Sequence, residues 1–158
     1  MLLKEFQIRE ATNRDIPSIR KVVFSSLREF GLNPDEKGKD KDLNNIESSY
    51  LSGNGFFGVV VHIETEKIVG CFGLFPVNEN ICELRKMYLL KEMRGRGLGK
   101  IILDTAIDIA KEKHYGKIIL ETISALKTAI FLYKRYGFKE IKPKEINTRV
   151  DQAFELDI

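Results

Sequence analysis

The chain has 158 residues, enough for one domain with a real core and short for two. Hydrophobic residues make up 43% and charged residues 31%, with ordinary glycine and proline content, which excludes disordered and fibrous classes. The 26 Lys and Arg against 23 Asp and Glu leave a net charge of +3, too small and too scattered to argue by itself for nucleic acid.

In chain order, a short strand over Phe6–Arg9 leads to Thr12-Asn13-Arg14-Asp15, which has the cap and early acid of a helix N-terminus. Ile16, Ile19, Val23, Leu27 and Phe30 then recur at helical spacing, and Gly31 stops the helix. Residues 33–42 are polar and charged and contain Pro34 and Gly38, which predicts a mobile loop before a short helical piece over 43–51. The period then changes. Strands are expected over 56–63, 67–77 and 81–89, and their short connections require antiparallel pairing.

After Gly99 the helical period returns, with Leu98, Ile101, Ile102, Thr105 and Ile109 expected to face inward and Lys100, Asp104, Asp108 and Lys111 outward. A buried strand over 117–123, a helix over 126–136 stopped by Gly137, and strands over 138–141 and 150–156 complete the chain. The expected architecture is one mixed α/β domain with neither repeats nor a linker.

Cys71 and Cys82 sit in apolar, strand-like surroundings far from His62 and His114, so they read as reduced buried thiols, and no metal site is expected. Met1-Leu2-Leu3-Lys4-Glu5-Phe6 lacks a secretory pattern and no apolar run has the length of a membrane span, which gives cytoplasmic as the expected location.

The most informative segment is Arg94-Gly95-Arg96-Gly97-Leu98-Gly99-Lys100, between a strand and an amphipathic helix. Alternating glycines let the backbone curl and clear side chains from a ligand. Amides at the following helix N-terminus favour an anion, and Arg94, Arg96 and Lys100 add positive charge. A pyrophosphate suits such a turn. A P-loop is excluded because Arg94 stands at the first glycine position and Ile101 follows Lys100. The spacing GxGxG also departs from the GxGxxG of dinucleotide-binding folds, and the preceding strand belongs to a meander.

Arg94-x-x-Gly97-x-Gly99, preceded by Leu84-Arg85-Lys86-Met87-Tyr88-Leu89, resembles the acetyl-CoA signature of the GCN5-related N-acetyltransferase (GNAT) superfamily. Ala129 to Phe138, with Tyr133 and then Gly137-Phe138, is similar to that superfamily's second signature, in matching order and spacing. The resemblance implies a mostly antiparallel sheet of six to seven strands flanked by about four helices. It also implies transfer of an acetyl group from acetyl-CoA to a primary amine by direct attack. Met87, Tyr88 and Leu89 would receive the pantetheine arm through their backbone, while their side chains read as core. The stretch from Arg94 through Gly95, Arg96, Gly97, Leu98 and Gly99 to Lys100 would receive the pyrophosphate. Tyr133 would protonate the departing thiolate, against the plainer reading of a packed helical tyrosine.

Glu83 stands where histone-acetylating members carry a glutamate, which makes it the candidate base; a half-buried carboxylate could have a raised pKa. Strand alternation puts Glu83 and Arg85 on one face, so a plain salt bridge competes, and Arg85 gripping an acid group of the substrate is a third reading. One departure stands out: Leu126 occupies the place where many members carry Asn, with Ser124 nearby as a substitute. Expected partners are acetyl-CoA and an amine acceptor, without metal, nucleic acid or membrane, and with a homodimer left open. The rival functions are a non-catalytic acyl-CoA sensor and, more remotely, a phosphate clamp for nucleic acid.

Overall fold

The computed structural model describes residues 4–158; Met1–Leu3, part of the stretch read above for a leader, lie outside the described residues. A seven-stranded sheet runs in the order β1-β2-β3-β4-β5-β7-β6. Its strands are β1 (Phe6–Glu10), β2 (Phe56–His62), β3 (Lys67–Pro76), β4 (Ile81–Leu89), β5 (Lys117–Thr122), β6 (Lys139–Ile141) and β7 (Gln152–Asp157). Every pairing is antiparallel except β4 with β5. The helices are α1 (Ile16–Glu29), α2 (Leu98–Glu112), α3 (Lys127–Arg135) and a single π-helical turn at Glu47–Leu51. This is the mixed α/β architecture that the resemblance implied.

Local chemistry explains the helix ends. Thr12 and Asp15 form a reciprocal capping box ahead of α1. At the far end Leu32 N donates to Leu27 O and Gly31 N to Arg28 O, a Schellman closure that uses Gly31 at φ +73°. The same closure ends α3: Phe138 N donates to Tyr133 O and Gly137 N to Lys134 O, with Gly137 at φ +91°.

Two expected apolar faces are rotated. In α1, Phe30 lies at the surface and Val22 joins Ile19, Val23 and Leu27 inside. In α2, Ile101, Thr105 and Ile109 are only half-buried, whereas Leu103, Ala106 and Ala110 are buried beside Leu98 and Ile102. Alanine faces inward where a helix backbone lies close over its neighbours, and a count of bulky residues misses that. The expected helical piece over 43–51 is a 3-10 turn, Lys41–Asn44, followed by the π turn.

The segment 33–42, expected to be mobile, is tied down. Arg149 grips buried Asp40 with both terminal nitrogens at 2.8 Å and also donates to Asn33 O at 2.5 Å. Lys86 reaches Lys39 O and Asp40, both at 3.0 Å. Residues 35–39 are exposed, as polar composition suggests, but Asp40 is buried and its counter-charges come from β4 and from the turn before β7.

Candidate active site

β4 leads to the glycine turn through a 3-10 turn at Lys91–Met93. Gly95 and Gly97 have φ of +77° and +81°, and a Cβ at either would meet nothing within 4 Å. Backbone conformation therefore requires these glycines, and the space beyond them is open. α2 starts at Leu98 with Gly97 as a cap that supplies no side-chain hydrogen bond, and its first turn holds no acid. The amides of Leu98, Gly99 and Lys100 thus lack intrahelical acceptors, at the positive end of a 15-residue helix. Such a turn can receive an anion.

The flanking cations differ in what they do. Arg94 turns toward α1, meeting Glu29 at 2.6 Å and donating to Leu89 O at 3.1 Å, so it braces the end of β4. Lys100 pairs with Asp104 at 3.2 Å, and Tyr136 donates to the same carboxylate at 2.6 Å. Arg96 is exposed and has no side-chain partner among the described residues.

Beside the turn, the sheet opens. β4 and β5 pair only over Ile81↔Lys117, Cys82↔Ile118 and Glu83↔Ile119. Beyond that rung β5 continues with β7 to Thr122, while β4 stays with β3 to Leu89. The edge of β4 that faced β5 is left without a strand from Arg85 to Leu89. Within this stretch Gly73 pairs with Arg85 and Cys71 with Tyr88, so Lys86 and Met87 together oppose Phe72 in a bulge. Lys86 sits at φ +54°, which is costly for a side chain with a Cβ. Its ammonium is held by Asp40, Asp42 and Lys39 O, which fixes the conformation.

Tyr133 projects from α3 and is 6% exposed. The Schellman closure packs Phe138 against its ring in a tilted arrangement with centroids 5.7 Å apart, a physical reason for the spacing of Tyr133 and Gly137-Phe138. A buried phenol ordinarily finds an oxygen acceptor. Here the hydroxyl's partner is Met87 Sδ at 3.9 Å, a weak acceptor, so the proton is held without a strong bond. Burial, and then the neighbouring Tyr88, push this phenol well above its ordinary value, so it is fully protonated at neutral pH. Leu126 caps α3 without a side-chain bond, and Ser124 donates its hydroxyl to Asp151 at 2.8 Å.

Glu83 is 8% exposed and accepts from Arg85 Nε at 2.5 Å. The structure joins these two directly. It also gathers residues that sequence reasoning passed over. Phe75 lies 3.8 Å beneath the Arg85 guanidinium. Tyr50 donates its hydroxyl to Asp42. Glu121 follows Ile119 by two residues on β5, and burial, then Glu83, raise its carboxyl above the ordinary range. Strand alternation on β5 was the only signal for Glu121; nothing local marks the rest. Cys71 and Cys82 are free and buried, and burial pushes both thiols up to about 12. Among the described residues, no three His, Cys, Asp or Glu side chains gather to hold a metal, and no helix is long and apolar enough to cross a membrane.

The profile of the acetyltransferase (GNAT) family matches residues 21–138. The chain is 38% identical over 141 residues to the uncharacterized N-acetyltransferase YjgM of Escherichia coli K12, a match covering 85% of this chain and 82% of that one. A GNAT-family acetyltransferase of Staphylococcus aureus Mu50 superposes with a TM-score of 0.87 at 28% identity, over 96% of this chain and 98% of the other. The PaiA N-acetyltransferase of Thermoplasma acidophilum, solved in complex with coenzyme A, shares the fold with a TM-score of 0.79 at 21% identity, over 97% and 99%.

Proposed function

The chain belongs to the GNAT acetyltransferase family, and from that premise we propose that it moves an acetyl group from acetyl-CoA to a primary amine, on a small molecule or a protein, within a ternary complex. The observation that carries this reading is the parting of β4 from β5 after Glu83↔Ile119, directly before a glycine turn and an uncapped helix N-terminus. The backbone of Met87, Tyr88 and Leu89 takes the pantetheine arm along the open edge, and the amides from Gly95 to Lys100 take the pyrophosphate. The coenzyme A bound by the Thermoplasma relative supports that assignment.

In the transfer, the amine nitrogen attacks the thioester carbon, the carbon–sulfur bond breaks, and the electron pair leaves on sulfur. Tyr133 gives the thiolate a proton, a role supported by its protonated state and its weakly bonded hydroxyl. The amine loses its proton to Glu83, directly or through water. Arg85 orients Glu83 for that task.

The test is thiol release. Acetyl-CoA mixed with the protein and a panel of primary amines should liberate free CoA with at least one acceptor, and acetyl-CoA should raise the melting temperature. Binding without thiol release from any amine would instead identify a non-catalytic acyl-CoA sensor.

A further inference from the structure

Arg85 is held by two contacts, one to Glu83 and one to Phe75. Its Nε is tied to Glu83 at 2.5 Å, and its plane rests 3.8 Å above the Phe75 ring, in cross-strand register with Glu83. Those two contacts fix the guanidinium's position and tilt. Its two terminal nitrogens have no protein partner among the described residues, and they are not sealed from solvent. The side-on pairing with Glu83 leaves the terminal pair of nitrogens unused. What remains is a rigid fork with its outer edge free, the geometry that binds a carboxylate through two parallel hydrogen bonds.

The fork lies just past the last β4–β5 rung, where the sheet opens. Glu83 and Glu121 supply negative charge there, and Lys39 and Lys144 act on Glu121 from the surrounding loops. A polyamine would bring several positive charges toward Arg85, Lys39 and Lys144. An isolated lysine side chain or plain alkylamine would leave the fork empty. A molecule carrying one ammonium and one carboxylate satisfies both signs. Because Glu83 and Arg85 touch each other, the two charges of that molecule must be close together, on the same or adjacent carbons.

We propose that the acceptor is a free α-amino acid or a close analogue, whose carboxylate is gripped by the terminal nitrogens of Arg85 while its amine is directed to Glu83. This rests on the acyl-transfer reading above and narrows its acceptor. Arg85 is then a binding residue that sets specificity, and Phe75 positions it.

The experiment compares matched probes. Leucine, phenylalanine, methionine and glutamate are each titrated, with CoA present, against the α-carboxamide and the decarboxylated amine of the same side chain. At least one amino acid should bind about 10- to 100-fold more tightly than its amide, the worth of hydrogen bonds to a charged partner. Arg85→Gln should erase that preference, whereas Arg85→Lys, which keeps charge but loses the fork, should recover only part of it. Amides or decarboxylated amines binding as well as every acid would overturn the proposal, with no need for a folded variant. Thiol release is read on the same panel. Preferred turnover of the decarboxylated amines would refute the carboxylate grip and leave acetyl transfer standing. A carboxylate preference in binding without turnover would uphold the grip and count against the enzyme.

Discussion

Replacing Asp40 by Asn keeps the shape of the side chain and removes its charge. The carboxylate is shielded from water and accepts from both terminal nitrogens of Arg149 at 2.8 Å, from Asp35 N at 2.7 Å and from Lys86 at 3.0 Å. Arg149 and Lys86 have side chains only 13% and 11% exposed, so the variant leaves two largely buried cations short of their counter-ion. Breaking a buried pair this way costs about 3–5 kcal/mol. For a domain of this size the melting temperature moves by about 2–4 °C per kcal/mol, so a fall of about 6–20 °C is expected. The pH dependence gives an independent reading. Burial alone would raise the Asp40 carboxyl, but Arg149, the Asp35 amide and Lys86 outweigh it and hold the group at about 2, against an ordinary 3.8. A depressed native pKa stabilises the fold above the unfolded value, and that contribution disappears as pH falls through the native one. Asp40 therefore contributes about 2 kcal/mol that vanishes between about pH 4 and pH 2. Urea unfolding from pH 7 to pH 2 should show a shallower acid loss in the variant by that amount. A variant with the parent's stability at pH 7 and the same acid slope would refute the network as the anchor of residues 33–42.

Three further outcomes test the transfer machinery. Tyr133→Phe keeps the ring against Phe138 and should lower kcat by about 10²–10⁴ while leaving acetyl-CoA affinity unchanged; a parent-like rate, with chemistry limiting, would remove the acid. Gly97→Glu places a Cβ at φ +81°, costing about 1–2 kcal/mol, and its charge in the anion site should abolish acetyl-CoA binding by calorimetry in a still-folded protein. Glu83→Gln should depress turnover most at low pH, with partial recovery as the amine deprotonates unaided. A salt bridge with no role in chemistry predicts instead a loss of about 1–2 kcal/mol of stability and an unmoved pH–rate profile.

How far the sequence could be read follows from where each feature's partners lie along the chain. The glycine turn was legible because its requirement is local: Gly95 and Gly97 need positive φ whatever surrounds them. Tyr133 with Gly137-Phe138 was legible for the same reason, since one helix closure ties the three together. Strand order through β2, β3 and β4 followed from short connections. The buried side of α2 was misread because Ala106 and Ala110 carry little hydrophobic weight in a pattern, although they let the helix approach its neighbours. The anchoring of residues 33–42 was misread because Asp40 and Arg149 are 109 positions apart, and no local rule connects them.

That difference divides the site in two. The proposed cofactor half is made largely of backbone: an unpaired edge of β4, two glycines in the left-handed region and a helix N-terminus. Backbone receptors depend on local conformation, so many sequences can build them and a short motif reports them. The proposed acceptor half is made of side chains brought from separate segments: Lys39 before the π turn, Phe75 on β3, Glu83 and Arg85 on β4, Glu121 on β5, and Lys144 between β6 and β7. Each of these has an ordinary alternative when seen alone, as a solvated charge or a core aromatic. Only their convergence gives them a common role, and convergence is a property of the fold. On this reading the acyl donor is announced by local motifs and the acceptor by tertiary structure. For this protein, the two proposed roles meet at Arg85, whose Nε holds Glu83 and whose terminal nitrogens have no protein partner among the described residues.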